Sequence, residues 1–245
     1  MPYYNPGDQL GRNVSEVVDV LARAGIDFEV IAVSDGSTDG SSATLDALGS
    51  GHVRRMELSE HKGKGEALRV GLAHGRGDYL GFIDADGDLP ADLLEVFFSK
   101  IRSGDSDMVV GSKRHRGSMV EYPLMRRLYS WGYQQLVRLL FDLQVRDTQT
   151  GIKLMRRQVV QAALPLMVEQ RFAFDLELLV IASRLGFDRT TELPVRIDRS
   201  PGSTISLRAV VGILADTFAI WWRLKVRHEY DETGDRRESE RVLRQ

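Results

Sequence analysis

The chain of 245 residues contains no cysteine. Disulfides, thiol nucleophiles and thiolate zinc sites are therefore excluded, and nothing points to an oxidising compartment. A strong charge of one sign is also lacking. With 33 basic and 35 acidic residues the formal net charge is -2, whereas generic nucleic-acid binding shows as a strongly basic surface. No segment reaches the ~20 uninterrupted apolar residues needed to span a bilayer. Leu207 to Val226 comes closest and is broken by Arg208, Asp216, Arg223 and Lys225. Met1 to Gly7 has no basic region leading into an apolar one, so it is not a signal peptide. The expected location is cytoplasmic, with peripheral contact at the inner face of a membrane left open.

What is present suits one large α/β domain: 42% hydrophobic and 28% charged residues can build a real core. Strand and helix patterns alternate through the first half. Phe28 to Val33, Val53 to Leu58, Asp78 to Ile83 and Asp107 to Gly111 read as strands. Thr38 to Leu48, Gly65 to Ala73 and Ala91 to Ile101 read as helices, the last with Pro90 in a first turn that tolerates it. Single helices between strands predict a mostly parallel, doubly wound sheet, whose ligands bind beyond the carboxyl ends of the strands. In the second half, Pro123 to Asp142 and Phe174 to Leu185 read as helices, Gly151 to Met155 and Leu193 to Ile197 as strands. Lys225 to Gln245 is a charged, solvated tail.

Asp84-Ala85-Asp86-Gly87-Asp88 directly follows a buried strand. Carboxylates at i and i+2 can share one divalent cation through hard oxygen ligands, and Asp88 could complete the set. For a random Asp-x-Asp, a solvated turn is the better reading. Asp105-Ser106-Asp107 is such a case, because it precedes its strand and so falls at the wrong end of the sheet; it is expected to be a surface turn. Asp35, in Ser34-Asp35-Gly36-Ser37-Thr38-Asp39, could accept from a base or ribose, or merely start a helix as an Asx-type turn. His61-Lys62-Gly63-Lys64-Gly65 suggests anion binding but lacks the Walker ending; a plain glycine turn with solvated lysines is nearly as good a reading. Lys113, Arg114, Arg116, Arg126 and Arg127 cluster after a strand end, where arginine suits phosphate, although much of such a run is normally solvated. Of Asp175 and Glu177, at least one is expected to be structural. The five histidines show no ligand spacing.

In order, Pro2-Tyr3-Tyr4-Asn5, Ser34 to Asp39, Lys62 to Gly65, Gly77-Asp78-Tyr79, Asp84 to Asp86, Gly111-Ser112-Lys113, Asp147 to Gly151 and Phe174 to Glu177 resemble the GT-A glycosyltransferases of family 2. Within that family they are most similar to the dolichyl- or polyprenyl-phosphate hexosyltransferases. The resemblance covers the chain from its start to about residue 200. It implies a GT-A fold, Rossmann-like, with a mostly parallel sheet flanked by helices. Residues 1–204 would be the catalytic domain, divided into a nucleotide-sugar half (1–112) and an acceptor half (113–204), followed by an interfacial helix at 205–227 and a tail at 228–245. It further implies that Pro2, Tyr4, Asp35, Lys64, Asp84, Ala85 and Asp86 bind the nucleotide-sugar. Asp84, Asp86 and Asp88 would hold Mg²⁺ or Mn²⁺, and Lys113, Arg114 and Arg126 the acceptor phosphate. Two departures stand out: Pro6 occupies a usually acidic position, and the family's first strand would precede Pro2, so a central strand is expected to be missing and an upstream extension to raise the melting temperature.

The activity implied is inverting transfer of glucose or mannose from a UDP- or GDP-sugar to a polyprenyl or dolichyl phosphate. A phosphate monoester, with a second pKa near ~6, is largely dianionic at neutral pH and needs no general base. An alcohol acceptor would need one, with Asp175 or Glu177 as the candidates. Met119 to Leu143 and Leu207 to Val226 mix aromatic, aliphatic and basic residues in a way that suits a lipid interface or simple core packing. The alternatives are a family-2 enzyme acting on a soluble sugar or polysaccharide, and a nucleotide-sugar-binding protein without turnover.

Overall fold

The computed structural model describes residues 1–119, 124–197 and 207–230, the side chains of 124–129 and 207–209 excepted. Two sheets carry the fold. In the first, Val30–Ser34 (β2) pairs in parallel with Pro2–Tyr3 (β1) and with Val53–Glu57 (β3). The five residues of β2 are all buried, as expected of a strand covered on both faces. β1 has only two residues, so the ladder on that side of β2 is short. The Met1 amine continues it by donating to the Ile31 carbonyl at 2.8 Å.

Gln9–Arg23 (α1) connects β1 to β2. Its buried Leu10, Val14, Val17 and Val20 recur at helical spacing and form one stripe that seals the first core. The helix expected from Thr38 to Leu48 contracts to Ala43–Asp46 (α2). Gly40 there has φ +76°, and the Asp39 carboxylate accepts from Gly7 N–H at 2.7 Å and Ser41 N–H at 3.1 Å, so these residues build a turn instead.

The second sheet has the order Tyr79–Ile83 (β4), Ile152–Arg156 (β6), Met108–Ser112 (β5), Thr190–Pro194 (β7). β5 and β7 are parallel, whereas β6 runs antiparallel to both β4 and β5. This reversal brings the start of β6 beside the end of β4. Alternation along β5 sends Met108 and Val110 into one core and Val109 into the other. Lys64–His74 (α3), Leu93–Arg102 (α4), Leu124–Phe141 (α5) and Arg157–Ala163 (α6) flank the sheets. Phe174–Arg184 (α7) is buried from Phe174 to Ala182, so its two carboxylates must find partners inside the protein.

Asp107, expected in a surface turn, is 6% exposed. Its carboxylate accepts from Arg189 at 2.5 Å, because β7 begins alongside. A cavity of about 190 Å³ lies between the two sheets, lined mainly by apolar side chains such as Ile31, Val33, Leu80, Phe82 and Phe98. Leu207–Trp222 (α8) follows and passes into a π-helical turn, Arg223–Arg227.

Candidate active site

The residues that follow β1, β2 and β4 meet around a second cavity of about 590 Å³, within the usual range for a small-molecule site. Tyr4, Asp35, Lys64, Asp84 and Asp86 all line it. Strand ends bring these residues together from positions far apart in the sequence, which is the general logic of ligand sites in α/β sheets.

Asp35 is 2% exposed and fixes the loop ahead of α3. Its Oδ1 accepts Lys62 N–H at 2.7 Å, and its Oδ2 accepts Gly63 N–H at 2.9 Å and lies 2.9 Å from His61 Nδ1. The His61 ring rests against Tyr4, with centroids 4.1 Å apart. His61 therefore joins the site, although histidine spacing alone gave no sign of it.

Asp84 sits where β4 meets the reversed β6. Its N–H donates to Gly151 O at 3.0 Å, and a Cβ at Gly151 would fall 1.9 Å from Asp84 Oδ2. Only glycine leaves room for that carboxylate. Lys64 Nζ lies 2.6 Å from Asp84 Oδ1 as an ion pair, yet no well-aligned hydrogen bond reaches this buried oxygen. Burial alone would lower the Lys64 pKa, but the carboxylates of Asp84 and then Asp175 more than offset this, so it is raised. The backbone between the two aspartates is anchored by α1: Asn13, itself buried, donates its side-chain amide to Ala85 O at 2.7 Å. An asparagine in an apolar helical stripe is the signal that could have disclosed it.

Asp84 and Asp86 fit a divalent cation, since one offers an oxygen without a good hydrogen bond and both face the cavity. Asp88 does not join them. Its N–H closes onto Asp86 Oδ1 at 3.0 Å in an Asx turn, and its side chain is not part of the cavity lining. Among the described residues no three acidic or histidine side chains cluster closely enough to hold a metal by themselves.

Asp175 and Glu177 both have partners inside the protein. Lys153, 1% exposed, donates to Asp175 Oδ1 and also to Thr150 O at 3.0 Å. Glu177 is fully buried and accepts from Val168 N–H, Glu169 N–H, Arg223 and Tyr230 O–H, at 2.9, 2.8, 3.1 and 2.6 Å. Four donors leave it nothing for an acceptor hydroxyl.

Lys113 and Arg114 do not line the cavity. Lys113 N–H donates to Asp147 Oδ2 at 2.9 Å, and the same oxygen accepts from Thr150 Oγ1 at 2.6 Å, tying the exit of β5 to the entry of β6. Arg114 reaches Ser130 Oγ at 2.8 Å, and burial lowers its pKa. The side chains of Arg126 and Arg127, and Tyr122 and the tail beyond residue 230, lie outside the described residues. Arg171 and Phe172 line the cavity and were not among the expected site residues.

The profile of Glycosyl transferase family 2 matches residues 1–164. The chain belongs to glycosyltransferase family 2. A dolichyl-phosphate beta-glucosyltransferase of Drosophila melanogaster is 32% identical over 243 residues, covering 92% of this chain and 74% of that protein. Glycosyltransferase AglD of Haloferax volcanii is 30% identical over 234 residues, 93% of this chain but only 37% of that protein's length. The fold is also that of glycosyl-transferring synthases of known structure. Glucosyl-3-phosphoglycerate synthase of Mycobacterium tuberculosis in complex with Mn²⁺, UDP and phosphoglyceric acid superposes with a TM-score of 0.66 at 21% identity, covering 90% of this chain and 75% of that one. Mannosyl-3-phosphoglycerate synthase of Rubrobacter xylanophilus gives 0.68 at 16% identity, covering 92% and 73%. This family-2 chain thus combines a GT-A fold with relatives whose names specify dolichyl phosphate.

Proposed function

We propose that this protein transfers a hexose, glucose by the names of its relatives, from a nucleoside diphosphate sugar to a polyprenyl or dolichyl phosphate. The observation that carries the choice of acceptor is the engagement of both candidate bases. Asp175 is held by Lys153, and Glu177 by four donors. A hydroxyl acceptor would need a positioned base, whereas a phosphate monoester is already anionic at neutral pH. With Glu177 fully engaged and Asp175 paired to Lys153 through Oδ1, the arrangement favours a phosphate acceptor.

Cleaving the sugar–diphosphate bond builds negative charge on the leaving group, and groups already placed at that charge stabilise it without reorganising. Mg²⁺ or Mn²⁺, held by Asp84 and Asp86, would supply Lewis-acid stabilisation of the diphosphate; a neighbour of the same fold is known with Mn²⁺ and UDP. Lys64, charged and beside Asp84, stands ready to turn towards phosphate oxygens. Asp35 holds the His61–Gly63 loop against Tyr4, which supports reading that end of the cavity as the place for the base. Among the described residues no helix is long and apolar enough to cross a membrane. Contact with lipid is instead assigned to the exposed face of α8, a peripheral arrangement at the inner face.

The test incubates the protein with Mn²⁺ or Mg²⁺, short polyprenyl phosphate, and radiolabelled UDP-glucose or GDP-mannose in parallel, and counts label in the organic phase. Metal-dependent label is expected with one donor, and Asp86→Ala should reduce it by at least 100-fold. Label appearing only on water-soluble acceptors would replace the lipid phosphate by a sugar.

A further inference from the structure

Residues 167–173, between the short turn Leu164–Leu166 and α7, form a loop fastened at three points. Its start is held by Glu177, whose Oε2 accepts the N–H groups of Val168 and Glu169. Its middle lies on the first turn of α3, where Glu66 N–H donates to Gln170 O at 3.1 Å. At its end, Phe174 N–H donates to Arg171 O at 3.3 Å. The fit against α3 is tight. A Cβ at Gly63 would lie 2.6 Å from Gln170 O, and one at Gly65 2.7 Å from Gln170 C. Gly63 in addition has φ +112°, which L side chains rarely adopt.

The loop contributes two residues to the cavity lining, Arg171 and Phe172, which share it with Asp84 and Asp86. Every other cationic side chain in the lining has an acidic partner: Lys64 has Asp84, Lys62 lies 3.6 Å from Glu60, and His61 lies against Asp35. Among the described residues no carboxylate pairs with Arg171, whose stem passes over Gly63, with Cγ 3.3 Å from an ideal Cβ there. A guanidinium offers five N–H donors in a planar fork that matches phosphate oxygens. Phe172 is 60% exposed, an apolar ring left in water in the lining of the same cavity. A ring that covers a bound ligand would regain that burial and exclude water, strengthening the charge interaction beneath it.

We propose that Arg171 binds a phosphoryl group in this cavity and that Phe172 shields it, the pair acting as a clip preset by Glu177 and the Gly63–Gly65 turn. This rests on the family-2 transferase reading above. The phosphoryl group belongs to one of two sources, the donor's diphosphate or the acceptor's phosphate monoester, and the same chemistry recognises both.

The experiment measures, by calorimetry with Mn²⁺ present, binding of UDP and of uridine to the wild type, Arg171→Met and Arg171→Lys. It also measures KM for polyprenyl phosphate in the transfer assay. Methionine keeps the apolar stem over Gly63 and removes the charge; thermal melting confirms that each variant is folded. UDP binding weakened at least tenfold in Arg171→Met, with uridine unchanged and partial recovery in Arg171→Lys, supports a clip on the donor's diphosphate. Unchanged UDP binding with KM for polyprenyl phosphate raised at least tenfold supports a clip on the acceptor. Changes below twofold in both quantities overturn the proposal while leaving the transferase reading intact. Where GDP binds in place of UDP, the same comparisons are made with GDP and guanosine; a folded wild type that binds neither nucleoside diphosphate overturns that reading and the proposal together.

Discussion

Lys153 shows how a single residue settles the role of another. Its ammonium is 1% exposed, donates to Asp175 and Thr150 O, and lies 5.3 Å from the centre of the Phe82 ring. Removing one partner of such a buried pair leaves an uncompensated charge and costs ~3–5 kcal/mol, whereas replacing both by apolar groups is often neutral. Lys153→Met should therefore lower stability by about that amount in urea unfolding, and Lys153→Met with Asp175→Leu should recover most of it. A double variant no more stable than the single one would show that Asp175 is not held chiefly by Lys153. At this scale the sequence disclosed some residues and hid others for a physical reason. Asp84 and Asp86 are legible because a buried strand ends beside them in the sequence itself. The employment of Asp175 and Glu177 is not, because their partners lie 22 residues away in one case and 46 and 53 in the other. No local pattern encodes such pairings, and the same is true of Asp107 with Arg189, 82 residues apart.

Elements were easier to find than to orient. Strands β2 to β6 and helices α3, α4, α5 and α7 lie within a few residues of the positions their apolar patterns indicate. The direction of β6 was not legible, since alternation of side chains is the same in a parallel and an antiparallel strand. Yet that direction places Gly151 against Asp84, and so completes the site. The link between α7 and the C-terminal segment is equally non-local. Glu177 ties the backbone of the 167–173 loop on one side to Arg223 and Tyr230 on the other, and Arg223 also reaches Glu169 at 2.7 Å. Burial raises the Tyr230 pKa, with the adjacent Glu177 charge acting in the same sense, so its hydroxyl remains a donor across the ordinary pH range. Glu177→Leu strands two backbone N–H groups and the Tyr230 hydroxyl and leaves Arg223 with Glu169 alone, at ~3–5 kcal/mol by the same reasoning. The expected result is a clear loss of thermal stability together with either weaker UDP binding or a raised KM for polyprenyl phosphate, because the loop that carries Arg171 loses its anchor. Loss of stability with both unchanged would separate the hub from the cavity.

For the molecule as a whole, the question is how a chain without a membrane-spanning helix among its described residues could meet a lipid-linked acceptor. The second face of α8 is the contact proposed here. Thr217 and Ile220 are buried, and Thr217 bonds to Tyr133 of α5 at 3.1 Å, which fixes the inward face. Val211, Leu214, Phe218 and Trp222 are 60%, 39%, 54% and 46% exposed and recur along one stripe. The stripe runs into exposed Lys225 and Arg227. An aromatic side chain carries ~150–250 Å² of surface, so re-burying about half of Phe218 and of Trp222 at ~25 cal/mol per Å² contributes roughly 2–3 kcal/mol each. Each basic residue near an anionic surface adds about 1 kcal/mol, screened by salt. Sedimentation with anionic vesicles should therefore fall at least tenfold in Phe218→Ser with Trp222→Ser, at any salt concentration. Lys225→Glu with Arg227→Glu should remove only the part that depends on anionic lipid and low salt. Transfer to a short, water-soluble prenyl phosphate should be unaffected by either pair, because the cavity around Asp84 and Arg171 does not include them. Undiminished vesicle binding in the first pair would mean that α8 is not the contact, and a parallel loss of transfer to the short acceptor would mean that it supports the cavity instead.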